Sequence, residues 1–167
     1  MSTMNVLICQ QPKELVWKQR EIPIPGDNEA LIKIKSVGIC GTDIHAWGGN
    51  QPFFSYPRVL GHEICGEIVG LGKNIANLKN GQQVAVIPYV ACQQCPACKS
   101  GRTNCCEKIS VIGVHQDGGF SEFLSVPVAN ILPADGIDPQ AAALIEPFAI
   151  SAVSYTHLRA HETLANL

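Results

Sequence analysis

The chain has 167 residues, of which 46% are hydrophobic and 16% are charged, and its formal net charge is −2. This composition is typical of one globular domain, excludes a disordered chain, and gives no sign of a basic surface for nucleic acid or an anionic membrane. No apolar run approaches the roughly 20 residues that a membrane-spanning helix needs. The first residues lack the basic and apolar regions of a signal peptide, so we expect a cytoplasmic protein.

In chain order, the sequence predicts many short strands separated by glycine and proline. The clearest is residues 29–38, where apolar and polar side chains alternate as in a half-buried strand. Residues 41–49 are predicted to form one or two helical turns, and Asp138 followed by Pro139 is typical of a helix start. We expect an all-β barrel or sandwich with short helices. The other segments predicted as strands are 4–8, 15–17, 66–72, 82–88 and 118–126.

The stretch CQQCPACKSGRTNCC, residues 92–106, holds five of the eight cysteines. Because the cytosol keeps thiols reduced, such a cluster more often binds a metal than forms disulfides. Four thiolates close a tetrahedral structural zinc site, which has no open position for a substrate. Disulfides and an iron–sulfur cluster stay as alternatives. The spacing does not choose between Cys105 and Cys106 as the fourth ligand.

A second group of residues carries mixed sulfur, nitrogen and oxygen donors. Taken singly, each is typical of an ordinary core or surface residue, and a glutamate before a proline is typical of a helix end. Taken together, a cysteine, a histidine and a carboxylate suit a catalytic zinc that keeps an open position. Thr42 and one histidine of the group are close enough in sequence to pass a proton. The group comprises Cys40, His45, His62, Glu63 and Glu146, and spacing alone does not show that they converge.

Four motifs, in this order along the chain, resemble the zinc-dependent medium-chain alcohol and polyol dehydrogenase family. GICGTDIHAWGG, residues 38–49, is similar to the family's first catalytic-zinc loop, and GHEICGEIVGLGKNI, residues 61–75, to its zinc signature. Residues 92–106 are similar to its structural-zinc lobe, and EPFAIS, residues 146–151, to the loop that carries a later zinc ligand. The resemblance covers residues 1 to about 152 and implies a GroES-like β-barrel catalytic domain, mainly β with short helices.

The resemblance also implies roles for individual residues. Two zinc ions are expected, one catalytic and one structural, and NAD is expected as cofactor of the full-length enzyme. Thr42 and His45 would form a proton relay, and Cys105 would be spare. The catalytic-zinc ligands would be Cys40, His62 and Glu146, with Glu63 as a near ligand, and the structural zinc would be held by Cys92, Cys95, Cys98 and Cys106.

The sequence departs from the family in two places. No G-x-G-x-x-G motif for a dinucleotide is present, so we expect the Rossmann domain to be missing and the chain alone to have no NAD-dependent activity. From about Val153 the run SYTHLRAHET resembles translated sequencing-adapter sequence, so residues 153–167 are expected to be a non-native tail. His157 and His161 are spaced i, i+4, but without the H-E-x-x-H order we do not expect a metal pair.

The branch of the family that the sequence resembles most acts on sugar acids and polyols. It implies oxidation of a secondary alcohol, with L-galactonate converted to D-tagaturonate as the favoured reaction, and a homo-oligomeric full-length enzyme. One alternative is a zinc-braced β-barrel binding module without catalysis, which leaves the second donor group unexplained. Another is a zinc-ribbon-like nucleic-acid binder, which the net charge of −2 disfavours.

Overall fold

The computed structural model describes residues 2–52 and 54–157, and most of its regular structure is antiparallel strand. The mainly β fold with short helices that the sequence predicts is confirmed. The helices are α1 (Gly41–Gly48), α2 (Pro96–Lys99), α3 (Pro139–Ala143) and α4 (Ile145–His157). The strands are β1 (Thr3–Gln11), β2 (Glu14–Glu21), β3 (Glu29–Gly38), β4 (Arg58–Val59), β5 (Glu63–Leu71), β6 (Gln83–Val86), β7 (Tyr89–Val90), β8 (Ser110–Val111), β9 (Phe123–Pro127) and β10 (Ile131–Pro133).

The strands form two main sheets and one hairpin. The first sheet has the order β2-β1-β4, the second has the order β10-β6-β5-β3-β9, and β7 pairs with β8 alone. Every pair of these strands is antiparallel. The two sheets meet where Val6 pairs with Ser121 and where the Leu7 N–H donates to the Phe120 carbonyl at 2.8 Å.

The main core lies on one face of the five-stranded sheet. Alternation along β3 buries Ala30 and Ile32 on this face, as the sequence pattern predicts. They pack with Ile64 and Ile68 of β5, both almost fully buried. Since side chains alternate across a strand, Cys65 of β5 points to the opposite face. Both faces of the sheet therefore carry buried side chains at β5.

That opposite face is covered by α3. Ala142 and Ala143 pack against Cys65 in a small buried cluster. The Asp138 side chain caps α3 as predicted, because its Oδ1 accepts from the N–H groups of Gln140 at 2.9 Å and Ala141 at 3.2 Å. The cap and the packing fix the point from which the chain continues into α4.

The helix predicted to start after Asp138 is short, and Leu144 separates it from the next helix. A new helix, α4, begins at Ile145, and Pro147 lies in its first turn, where the missing N–H costs no intrahelical hydrogen bond. Glu146 therefore lies at the start of a helix. The proline after it, which suggested a helix end, instead marks this start.

Towards its C-terminal end, α4 passes Val153 without a break and ends at His157. His161, the other member of the histidine pair, lies outside the described residues. No helix in the described part of the chain has both the length and the apolar character needed to cross a membrane.

Candidate metal centres

The cysteine-rich segment forms a lobe, residues 92–106, that leaves the fold at β7 and returns at β8. Its ligand atoms lie within 4.8 Å of one another, and the Cys92 and Cys98 sulfurs are 3.9 Å apart. Four thiolates about 2.3 Å from one zinc ion have sulfur–sulfur distances of about 3.8 Å, so this geometry fits a tetrahedral site. The four residues of this cluster are Cys92, Cys95, Cys98 and Cys106.

The fourth position of the cluster belongs to Cys106 and not to Cys105. Cys106 is buried, and its sulfur accepts the N–H groups of Cys92 at 3.3 Å and Lys108 at 3.4 Å. Cys105 is exposed and outside the cluster. All eight cysteines are free thiols, so the structure contains no disulfide in its described part.

The local electrostatics of the lobe suit bound metal. The backbone N–H groups of Gln94 and Cys95 lower the pKa of Cys92 to about 6. Burial raises the pKa of Cys98 to about 12, and a cation beside the thiol would offset this effect. Zinc bound by all four sulfurs would supply that cation.

A second cluster forms where β3 leads into α1 and where β5 begins. Cys40, His62 and Glu63 place their ligand atoms within 4.8 Å of one another. His62 and Glu63 are only 6% and 7% exposed. His62 Nδ1 is buried without a hydrogen-bond partner, and burying such groups is costly unless they are paired. A thiol, an imidazole and a carboxylate this close together form a donor set that fits zinc.

The second cluster depends on Asp43, a residue outside the predicted ligands and relay. This buried aspartate accepts the Cys40 N–H on Oδ2 at 2.9 Å and the Gly61 N–H on Oδ1 at 3.0 Å. Its Oδ1 also lies 3.9 Å from His62 Nδ1. One carboxylate thus ties the segment carrying the cysteine to the segment carrying the histidine. Asp43 stands three residues after Cys40, which is the N-cap of α1. An acid at this position is typical of a capping box, and this is the sequence signal that could have identified Asp43.

Gly38 provides the space for the Glu63 carboxylate. The two residues are paired across β3 and β5. A Cβ atom on Gly38 would lie 1.9 Å from Glu63 Oε2, which is far shorter than a van der Waals contact distance. The second cluster therefore requires a residue without a side chain at position 38, as Gly38 provides.

Glu146, predicted as a ligand of the catalytic zinc, lies outside the group formed by Cys40, His62 and Glu63. Its Oε1 accepts a hydrogen bond from the Tyr89 hydroxyl at 2.7 Å. Burial, followed by this hydrogen bond, raises the pKa of Tyr89, and the charge of Cys40 contributes as well. Tyr89 is thus a hydrogen-bond donor close to the second cluster, and no motif in the sequence pointed to it.

The predicted relay residues lie on α1. Thr42 is half-buried and His45 is exposed, three residues further along the same helix. Residues with this spacing are neighbours on a helix surface. In the described part of the chain no hydrogen bond joins the two side chains.

Known proteins resemble this chain over most of its length. The model of the family described as "Alcohol dehydrogenase GroES-like domain" matches residues 26–136. Over 152 residues the chain is 99% identical to L-galactonate-5-dehydrogenase of Escherichia coli strain K12, an alignment covering 91% of this chain and 45% of that relative. It is 42% identical to a zinc-type alcohol dehydrogenase-like protein of Haemophilus influenzae, over 89% of this chain and 44% of that one.

Solved structures agree with the sequence comparisons. The crystal structure of an alcohol dehydrogenase from Escherichia coli CFT073, complexed with NADH, superposes with a TM-score of 0.87 at 40% identity. The match covers 94% of this chain and 46% of that one. The chain spans less than half the length of the curated relatives that it matches.

Proposed function

The chain belongs to the alcohol dehydrogenase GroES-like domain family, and on this basis we propose that it is the zinc-binding catalytic part of a dehydrogenase. The observation that carries the proposal is the cluster of Cys40, His62 and Glu63, three donors of different type within 4.8 Å of one another. A binding module braced by one structural zinc would have no use for this second, mixed-donor cluster. The four-cysteine cluster, by contrast, is common to both interpretations.

We assign the ligands as follows. Cys40, His62 and Glu146 would hold the catalytic zinc, with Glu63 beside it as a ligand that exchanges with water or substrate. The structural zinc would be held by Cys92, Cys95, Cys98 and Cys106. These assignments are supported by the two donor clusters and, for Glu146, by the resemblance of its loop to the family.

A catalytic zinc in this position would supply a Lewis acid that lowers the pKa of a substrate hydroxyl. The protein's own residues then have two tasks. Asp43 fixes the segments that carry Cys40 and His62, so the donor set is held in place before substrate arrives. Thr42 takes the hydroxyl proton and passes it to His45, whose exposure on α1 allows release to water.

The substrate and cofactor are proposed from the relatives. We propose oxidation of a secondary alcohol of a sugar acid, L-galactonate to D-tagaturonate, with NAD as the hydride acceptor. The substrate is supported by the 99% identity to L-galactonate-5-dehydrogenase, and the cofactor by the NADH complex of the alcohol dehydrogenase from strain CFT073.

We also propose a domain organisation and an assembly state. Residues 1–152 would form one zinc-binding domain with the lobe at 92–106, and residues 153–167 would be a non-native tail. The full-length enzyme would be a cytoplasmic homo-oligomer.

Metal content tests the central proposal. The purified chain, loaded with zinc and freed of excess, should contain two zinc ions, because it has two donor clusters. Cys40→Ser should contain one, and its four-cysteine lobe should keep that ion. A chain that holds a single ion, lost on altering the lobe but unaffected by Cys40→Ser, would contradict the dehydrogenase proposal and favour the binding module.

A further inference from the structure

The Tyr89 side chain is the hydrogen-bond partner of Glu146. Its hydroxyl donates to Oε1 at 2.7 Å, and within the described residues no other hydrogen bond to this carboxylate is present. The two residues are 57 positions apart in sequence. The contact therefore joins the start of α4 to the β7–β8 hairpin.

The backbone of Tyr89 is anchored in the β7–β8 hairpin. It pairs with Val111 across the hairpin. The buried Asn130 side chain donates to the carbonyls of Ile87 at 2.8 Å and of Tyr89 at 3.1 Å, which fixes the backbone on both sides of Pro88. The Tyr89 side chain, 39% exposed, extends from this fixed backbone to Glu146.

Glu146 has no comparable anchor of its own. It lies in the first turn of α4, a helix in which no residue is fully buried. A glutamate side chain at such a position has several accessible rotamers, and ordering it costs conformational entropy. The hydrogen bond from Tyr89 selects one of them.

We propose that Tyr89 is a positioning residue that holds the Glu146 carboxylate. The site it serves, called the second centre below, is the proposed metal site of Cys40, His62 and Glu146 with Glu63. Tyr89 donates to Oε1, and Oε2, which has no hydrogen bond within the described residues, would be available to bind the metal. Hydrogen bonds to a ligating carboxylate orient it, and their removal typically weakens metal binding about 10- to 100-fold. The inference rests on the proposed function, in which Glu146 is a ligand.

A purely structural role would give a different result. If Tyr89 served only to fasten α4 to the hairpin, removing its hydroxyl would lower thermal stability and leave the metal site unchanged. The test therefore measures metal affinity and the coordination environment separately from stability.

The experiment uses Tyr89→Phe, which keeps the ring and removes the hydroxyl. Zinc affinity is measured by competition with a chelator, and the four-cysteine lobe serves as an internal control for correct folding. Cobalt is then bound at the second centre with zinc kept in the lobe, and its visible d–d absorption reports the ligands. We expect affinity at the second centre to fall about 10-fold, with shifted cobalt bands and an unchanged lobe.

A double-variant comparison isolates the contact. In a chain that already carries Glu146→Ala, Tyr89→Phe should cause no further loss of affinity, since the carboxylate it positions is gone. Unchanged affinity and unchanged cobalt bands in Tyr89→Phe would overturn the inference and leave the proposed function standing. Binding of only one metal ion by the unaltered chain would overturn both.

Discussion

Gly38 and Glu63 face each other across β3 and β5, and the space above the glycine is filled by the carboxylate. In Gly38→Ala the new methyl group would take the position of Oε2, so the flexible end of Glu63 must turn away while its backbone stays. We expect zinc affinity at the second centre to fall at least about 10-fold, with little change in the melting temperature. Chelator competition and thermal unfolding measure the two quantities.

A matched control lies three residues further along the chain. A Cβ atom on Gly41 would meet nothing within 4 Å, so Gly41→Ala should leave metal affinity unchanged although it adjoins Cys40. Glu63→Gln should reproduce the loss seen in Gly38→Ala, because both variants remove the same carboxylate from the site. Full affinity in Gly38→Ala would show that Glu63 does not contribute to binding.

Individual residues differ in how far the sequence could predict them. The spacing of Cys92, Cys95 and Cys98 is a local pattern within one lobe, so it is readable without a structure. The meeting of Cys40 with His62 depends on the pairing of β3 with β5, which brings together segments more than 20 residues apart. Asp43 and Tyr89 carry no metal-binding signal, because they act only through the groups they hold.

The lobe of residues 92–106 is the element whose stability depends most directly on metal. It contains only short helical turns, and its buried side chains are mainly the cysteines themselves. Cys106→Ser should therefore release the lobe's zinc and lower the melting temperature by about 4 °C or more, since binding energy at a structural zinc site contributes to folding. Metal analysis and calorimetry give the two readouts.

Cys105→Ser is the control for this variant. Its side chain is exposed and outside the cluster, so zinc content and melting temperature should match those of the unaltered chain. Loss of zinc in Cys105→Ser with retention in Cys106→Ser would reverse the assignment of the fourth ligand.

A strand was predictable where its apolar and polar residues alternate along enough of the chain. β3 is ten residues long with clear alternation, and its predicted bounds match the structure. β4, β7 and β8 have two residues each, too few for any periodicity, and they exist because neighbouring strands offer them partners. The two helices on either side of Leu144 both contact the buried cluster around Cys65, through Ala142, Ala143 and Ile145.

For the molecule as a whole, the GroES-like fold expected from the four motifs is confirmed by the family match and the superposition. Composition and alternation alone predicted only that the fold is a β-barrel or a β-sandwich. The reason is that strand order depends on contacts between distant segments, such as β3 between β5 and β9, which no local pattern encodes. The resemblance supplied that long-range information.

The exposed apolar surface of α4 leads to a prediction about the whole chain. Phe148, Ile150, Val153 and Tyr155 are each about half exposed or more, with Phe148 at 73%. Apolar side chains exposed around a helix in this way favour association between molecules. We expect the chain to self-associate as its concentration rises, and Phe148→Lys to reduce this association, as measured by light scattering.

Phe148→Lys should reduce association while leaving thermal stability almost unchanged. Because Phe148 is largely exposed, replacing it removes little burial, and the melting temperature should change by no more than about 1–2 °C. Ile24→Lys is the matched control: Ile24 is 92% exposed but lies outside α4, so its replacement should leave association unchanged. If both variants reduced association equally, the added charge, and not the α4 surface, would be the cause. A chain that stays monomeric at all concentrations would show that the exposed side chains of α4 do not drive association.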